Sequence, residues 1–146
     1  IELLVVTIII GILSAIALPN FLNMVSRSRQ AEAQALLGTV NRSQQTYRFS
    51  NGIFANNLNL LEASVAGEFY SYGVDQINGA VSVTHQAVAN PTFSQDVKNY
   101  ASGVYYFPNQ KRLSNIICEG NTVSGSATAS IDVNIADCDA NSHRVR

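Results

Sequence analysis

Residues 3–18 read LLVVTIIIGILSAIAL, and this run determines how the rest of the chain is organised. No charged side chain occurs between Glu2 and Arg27, which leaves 24 consecutive uncharged residues. As an α-helix with a rise of about 1.5 Å per residue they would extend roughly 36 Å, enough to cross a hydrocarbon core of about 30 Å. The sequence therefore predicts a membrane-inserted helix over residues 1–25.

Glu2 is a carboxylate placed directly against the start of this apolar run. An ionised side chain inside a membrane costs at least a few kcal/mol and usually marks a function or a pairing between chains. The alternative is that Glu2 lies at the membrane interface, where lipid headgroups solvate it. Physical reasoning on the residue alone leaves both interpretations open.

Gly11 and Pro19 interrupt the aliphatic helix. A proline inside a helix removes one backbone hydrogen bond and clashes with the preceding turn, which predicts a kink or local melting near Pro19. In a membrane the freed carbonyl must find another partner, so such a defect is tolerated where helices pack together.

An amphipathic pattern replaces the apolar one over residues 26–50. Apolar side chains recur there at helical spacing, at Ala33, Leu36, Leu37, Val40 and Tyr47. Asn51-Gly52 supplies the helix stop, because either residue can adopt the left-handed conformation. Arg27 and Arg29 are expected on a solvated face. The prediction is one helix of about 50 residues whose first half is apolar all round and whose second half is apolar on one face only.

The rest of the chain is long enough for one modest hydrophobic core and predicts a β-rich head. Of 146 residues in all, about 120 lie beyond the apolar helix. The net charge of −1 gives no field that would indicate nucleic acid or anionic lipid as a partner. After a loop over residues 53–62, strands are predicted at 68–74, 80–88, 101–107, 112–118 and 130–136. Turns are predicted at Asn78-Gly79, Asn90-Pro91, Pro108-Asn109 and Glu119-Gly120-Asn121.

The fold class is therefore α+β, with an antiparallel sheet packed on the amphipathic half of the helix. Alternation of apolar and polar residues over 131–135 favours a strand with one buried face. Two parts follow: a transmembrane helix over 1–25, and a head over 26–146 whose sheet region is 53–146.

Cys118 and Cys138 are the only cysteines. In an exported chain, an isolated pair 20 positions apart favours a disulfide, worth roughly 3 kcal/mol in the chain-entropy model. Two free buried thiols are the alternative. Residues 121–130, rich in Ser, Thr, Gly and Ala, are expected to form an exposed loop that offers an O-glycosylation or adhesion surface. The sequon at Asn41-Arg42-Ser43 is discounted because it lies on the helix.

No catalytic or metal-binding constellation is found in the sequence. His85 and His143 have no metal-ligand spacing, and each is expected to be a surface or hydrogen-bonded histidine. Three aspartates, Asp132, Asp137 and Asp139, could offer oxygen ligands to Ca²⁺, but they match no known loop motif. No cofactor, metal or enzymatic activity is expected.

The N-terminal residues resemble those of a known family. Ile1-Glu2-Leu3-Leu4-Val5-Val6, followed by the run from Gly11 to Pro19, is similar to the N-terminal motif of type IV pilins. The segment Asn41–Tyr47, with Asn51-Gly52-Ile53-Phe54, also resembles the helix end of cyanobacterial pilins. The resemblance implies a pilin fold and a mature chain in which an N-methylated aromatic residue, Thr and Leu precede Ile1, after cleavage by a prepilin peptidase.

The resemblance also implies a role for Glu2, whose carboxylate would pair with the terminal amine of a neighbouring subunit during assembly. It implies unwinding between Gly11 and Pro19 in the filament, and a disulfide-bounded C-terminal loop at Cys118–Cys138. The expected function is the major subunit of an extracellular pilus, held in the inner membrane as a single-pass protein before assembly. Its expected partners are identical subunits and the pilus assembly machinery, and the pilus would serve twitching motility, adhesion or DNA uptake. The alternatives are a minor pilin, a type II secretion pseudopilin, and a membrane-tethered binding module.

Overall fold

The computed structural model describes residues 1–63, 65–132 and 135–145. The elements in chain order are α1 (Glu2–Asn51), β1 (Tyr70–Asn78), β2 (Ser82–Ala89), β3 (Lys98–Phe107), β4 (Arg112–Val123), β5 (Ala129–Asp132), β6 (Ile135–Cys138) and β7 (Ser142–Arg144). Short 3₁₀ turns occur at Leu58–Leu60 and Pro108–Gln110. The predicted α+β fold, a long helix followed by an antiparallel sheet, is confirmed.

Helix α1 is continuous over 50 residues and includes Pro19 without a break. It ends where the sequence predicts, because Gly52 adopts the left-handed conformation with φ of 76°. The Gly52 N–H then donates to the Arg48 carbonyl at 2.8 Å, which satisfies one of the last carbonyls of the helix.

The main sheet has the strand order β1-β2-β3-β4-β7, and all its neighbours are antiparallel. Strands β1 to β4 follow one another as a meander. Three predicted turns lie where the strands reverse, at Asn78-Gly79, Asn90-Pro91 and Pro108-Asn109. Gly79 has φ of 44°, a conformation that glycine adopts readily and other residues rarely do.

The predicted turn at Glu119-Gly120-Asn121 is wrong, because these residues lie within β4, although the pairing of β4 with β3 is irregular there. Glu119 pairs with Tyr100 on β3 and with His143 on β7. Gly120 lies at a close approach between backbone segments. A Cβ at this position would lie 3.1 Å from the Gly125 carbonyl oxygen.

The single strand predicted over residues 130–136 is also wrong. Strands β5 and β6 pair with each other as a separate two-stranded antiparallel sheet. Apolar and polar residues alternate with a period of two both in one long strand and in two short ones. The alternation over 131–135 therefore could not distinguish these two arrangements. Residues 133 and 134 of that segment lie outside the described residues. Strand β7 was not predicted.

The main sheet is covered by α1 on one face and, over β3 and β4, by the β5–β6 hairpin on the other. On one face, α1 contributes a buried stripe that consists of Ala33, Leu37, Val40, Asn41 and Gln44. On the other face, Tyr105, Phe107 and Ile116 pack with Ala136 of the β5–β6 hairpin. The head is therefore layered as helix, sheet and hairpin, and the helix packs through its second half alone.

Candidate functional site

The first half of α1 is an apolar surface that no other part of the described chain covers. Every residue from 1 to 24 is exposed, and no residue of the most apolar 18-residue window, of mean hydropathy 2.4, is buried. Ile8, Leu13 and Phe21 are 53%, 61% and 62% exposed. By length and composition this helix could span a membrane. An apolar surface of this size requires cover from lipid or from other protein chains.

Glu2 lies in the first turn of α1 and is exposed. Its negative charge is favourable there because the helix dipole is positive at its N-terminal end. The salt bridges between Lys or Arg and carboxylates within the described residues are Arg29–Asp96 and Lys98–Glu119, so Glu2 pairs with no cation among those residues. Its carboxylate is accessible to a cation on another molecule.

Gly11 and Pro19 lie within this exposed half. A Cβ at Gly11 would meet nothing within 4 Å, so glycine is not required there by packing in the single chain. Pro19 has no N–H to donate to the Ala15 carbonyl. At the next residue, the Asn20 side-chain amide donates to the Ile16 carbonyl at 3.4 Å. The helix remains α-helical throughout, and melting in a filament stays a prediction.

A polar network fixes the second half of α1 to the sheet. The Tyr100 hydroxyl donates its one proton to Glu119 Oε2 at 2.8 Å and accepts from Gln34 Nε2 of α1 at 3.3 Å, and Gln30 Oε1 lies 3.1 Å from the same hydroxyl oxygen. Lys98 Nζ donates to Glu119 Oε1 at 2.7 Å. Burial raises the pKa of Glu119, but the hydrogen bonds from Lys98 and Tyr100 outweigh this effect, so its pKa is lowered. Burial also raises the pKa of the Tyr100 hydroxyl, so it remains protonated and donates. The Glu119 network thus connects α1, β3 and β4.

Two arginines of α1 stack on aromatic rings of the head. The Arg29 guanidinium lies 4.5 Å from the ring centroid of Phe93 and pairs with Asp96 at 3.6 Å. The Arg48 guanidinium lies 3.7 Å from the ring centroid of Tyr106. The expectation that Arg29 lies on a solvated face is therefore wrong, because its side chain packs along the head while its charge remains paired.

Cys118 and Cys138 are joined by a disulfide, with their Cα atoms 5.7 Å apart. This bond ties β6 to β4 and closes the hairpin layer over the outer face of the sheet. His143 Nδ1 lies 3.1 Å from Asn121 Oδ1, whereas His85 is buried beneath α1. Asp139 accepts a hydrogen bond from Thr128 Oγ1 at 3.0 Å. Among the described residues, no three His, Cys, Asp or Glu side chains come together as metal ligands.

A groove of about 510 Å³ lies between the end of α1 and residues 60–62. Its described lining consists of Arg42, Ser43, Thr46, Tyr47, Ser50, Asn51, Leu60, Leu61 and Glu62. The two serines have no histidine beside them within this lining, so neither is arranged as an activated nucleophile.

These features define a class of protein: an exposed apolar helix that continues, without a break, into a disulfide-closed α+β head. The family model for type IV pilin-like G and H proteins matches residues 30–138, which is most of the chain. The chain therefore belongs to the type IV pilin-like family. It is also 29% identical, over 94% of its length, to the type IV major pilin protein PilA of Myxococcus xanthus. The match spans 66% of the length of that relative.

The N-terminal motif and the cysteine pair could be found in the sequence, but the Glu119 network could not. Glu119, Lys98 and Tyr100 are brought together by the register of β3 and β4. The register shifts between the Lys98–Val123 and Tyr100–Glu119 pairs, an irregularity that the apolar and polar pattern of the sequence does not predict.

Proposed function

We propose that this chain is the structural subunit of an extracellular type IV pilus. The observation that carries the proposal is the fully exposed apolar half of α1 in a member of the pilin-like family. Identical subunits would bury this surface against one another at the centre of a helical filament, with the heads outside. Head-to-tail association that does not close into a ring produces a fibre.

The same helix serves in two environments under this proposal. Before assembly, residues 1–25 cross the inner membrane as a single-pass anchor and residues 26–146 form the exported head. After assembly, the apolar half of α1 exchanges lipid for the corresponding helices of its neighbours. The change in burial along α1 supports this division, since Val25 is the first residue of the helix that the head partly covers.

Glu2 selects correctly placed neighbours in the proposed filament. Its exposed carboxylate would pair with the terminal amine of an adjacent subunit, so that both charges are neutralised as they leave water and headgroups. A subunit in the wrong register would leave Glu2 buried and unpaired, which costs several kcal/mol.

Residues 11–19 are the part of α1 that would unwind in the filament. Glycine in a helix interior is less favourable than alanine by about 1 kcal/mol, and proline by about 3 kcal/mol. Within the first half of α1 the two residues lie eight positions apart, so the helix is weakest between them. A simple kink at Pro19 is the alternative outcome.

The proposed partners are further copies of the chain, a prepilin peptidase and the assembly machinery with its cytoplasmic ATPases. The assembled pilus would serve twitching motility, adhesion to surfaces or DNA uptake, and the subunit itself would have no enzymatic role. Similarity to a major pilin favours a major subunit over a minor pilin or a type II secretion pseudopilin. Glu2 at the start of the apolar run favours assembly over a plain membrane tether.

The experiment compares sheared surface filaments from cells that carry native Glu2, Glu2→Ala or the head variant Glu62→Ala. Electron microscopy and mass spectrometry would show whether the filaments consist mainly of this chain, and the membrane-held pool is quantified in parallel. We expect filaments to be lost in Glu2→Ala while its membrane pool persists, and to be normal in Glu62→Ala. Normal filaments in Glu2→Ala would contradict the role of Glu2. Filaments made of another protein would contradict the major-subunit function.

A further inference from the structure

The buried amide of Gln44 holds the segment that follows α1. Gln44 Nε2 donates to the Ala55 carbonyl at 3.0 Å, and Gln44 Oε1 accepts from the Ala55 N–H at 2.9 Å. Because a peptide N–H requires an acceptor and a carbonyl requires a donor, only one orientation of the Gln44 amide satisfies both. Gln44 and Ala55 are 0% and 1% exposed, so water cannot replace these bonds without opening the segment.

This orientation determines the tautomer of His85. Gln44 Nε2 also lies 3.1 Å from His85 Nε2. Because an amide nitrogen can only donate hydrogen bonds, His85 Nε2 must be the acceptor. His85 is therefore neutral with its proton on Nδ1. Within the described residues that Nδ1 has no hydrogen-bond partner, and Ser102, opposite His85 on β3, has a hydroxyl without one.

Among the residues whose side chains the structure describes, no charged group faces His85 from the surrounding elements. Ser102 and the Gln44 amide are uncharged, and β2 carries no other ionisable residue. Of the charged residues on the neighbouring elements, Arg42, Glu62 and Asp75 are exposed. Glu32 of α1 lies beside Gly67, Arg48 stacks on Tyr106, and Lys98 pairs with Glu119. The Tyr100 hydroxyl, on β3, donates to Glu119 Oε2 and lies 3.1 Å from Gln30 Oε1. Burial alone lowers the pKa of His85 to about 4.

We propose that Gln44, Ala55 and His85 form an acid-sensitive latch that holds residues 53–63 against α1. When His85 is protonated, its Nε2–H points at an N–H of Gln44, and two donors repel each other. The Gln44 amide can rotate so that its Oε1 accepts from His85, but this rotation breaks both hydrogen bonds to Ala55. The segment is then released, and with it the buried side chains of Phe54 and Leu61, which are 2% and 5% exposed in the closed state. The latch works within one head and does not depend on filament assembly.

The test measures the hydrogen-exchange rate of the Ala55 amide in the full chain, which is held in detergent micelles. Each measured rate is corrected for the intrinsic exchange rate at that pH. In the open segment His85 regains an ordinary pKa near 6.5, whereas in the closed segment its pKa is about 4. The latch is therefore fully closed above about pH 6.5. Below it, Ala55 exchange should accelerate by about tenfold for each unit that the pH falls toward 4.

Two histidine variants separate the latch from general acid effects. His85→Gln retains an acceptor for Gln44 without a titrating group, and we expect its Ala55 exchange to be independent of pH between 6.5 and 4. His143→Gln, a change to the exposed histidine, should behave as the native chain does. An unchanged pH dependence in His85→Gln, or none in the native chain, would overturn the proposal.

The ¹⁵N chemical shifts of the His85 ring provide a second test that does not depend on a variant folding correctly. At pH 7 we expect a proton on Nδ1 and none on Nε2. A proton on Nε2 at that pH would also overturn the proposal.

Discussion

Glu119 is the residue that most clearly fixes the helix to the sheet. Its side chain is 17% exposed and bridges Lys98 to the Tyr100 hydroxyl, which in turn contacts α1. Buried carboxylates destabilise a fold when unpaired, whereas Glu119 accepts hydrogen bonds at both oxygens, one of them from a charged donor. Its ionised form therefore stabilises the native state.

Replacing Glu119 with glutamine should lower the free energy of unfolding at pH 7 by about 1–3 kcal/mol. Because folding lowers the pKa of Glu119, its contribution is present above the ordinary value of 4.5 and is lost as the pH falls below it. Chemical denaturation followed by circular dichroism at pH 7 and pH 3 would measure both effects. The difference between native and variant should shrink at pH 3, and the exposed control Glu62→Gln should change stability little at either pH. A difference that is equal at both pH values would contradict the assignment.

The sequence indicates the role of a residue where that role follows from its immediate neighbours or from the count of its residue type. Glu2 stands out against an apolar run, and Cys118 and Cys138 stand out because there are no other cysteines. His85 and Glu119 could not be interpreted in the same way. Their partners are supplied by residues tens of positions away, at distances that only the packed structure determines.

The elements of the head depend on the second half of α1, whose buried stripe packs against β2, β3 and β4. Leu37 is 0% exposed and belongs to the cluster that includes Tyr70 and Tyr100. Removing most of a buried leucine side chain costs both the burial of its methyl groups and the cavity that remains.

Leu37→Ala should therefore lower the free energy of unfolding by about 2–5 kcal/mol. Leu60, which is 49% exposed, offers a matched control. Leu60→Ala should change the free energy of unfolding by less than about 0.5 kcal/mol. Denaturant titration of the two variants in the same detergent would measure the difference. Similar losses in both would show that α1 does not pack on the sheet through this stripe.

Element boundaries followed from the sequence where periodicity and turn residues agree. The helix stop at Gly52 and the strands β1 to β4 were predicted in this way, with ends displaced by a few residues. The β5–β6 hairpin was missed because its alternation is the same as that of a single strand. Strand β7 is only three residues long, too short to produce a periodic signal.

At the scale of the whole molecule, the chain divides into a head that buries its own core and a helix that does not. All buried residues of α1 lie at position 33 or beyond, so the apolar half contributes nothing to the core of the head. Its exposure is incompatible with a monomer in water.

A chain shortened to residues 26–146 should consequently fold in water as a monomer, whereas the full chain should require detergent or lipid. Light scattering and a cooperative thermal transition by circular dichroism would establish this for the shortened chain. Aggregation of the shortened chain, or the absence of a cooperative transition, would show that residues 1–25 are needed by the head.

The central claim is that the apolar half of α1 forms the interior of a filament of identical subunits. A helical reconstruction by electron cryomicroscopy of filaments sheared from cells tests it most directly. We predict density for residues 1–24 bundled around the filament axis, with the disulfide-closed heads on the outside. A filament with the heads at its axis, or with residues 1–24 exposed on its surface, would contradict the claim.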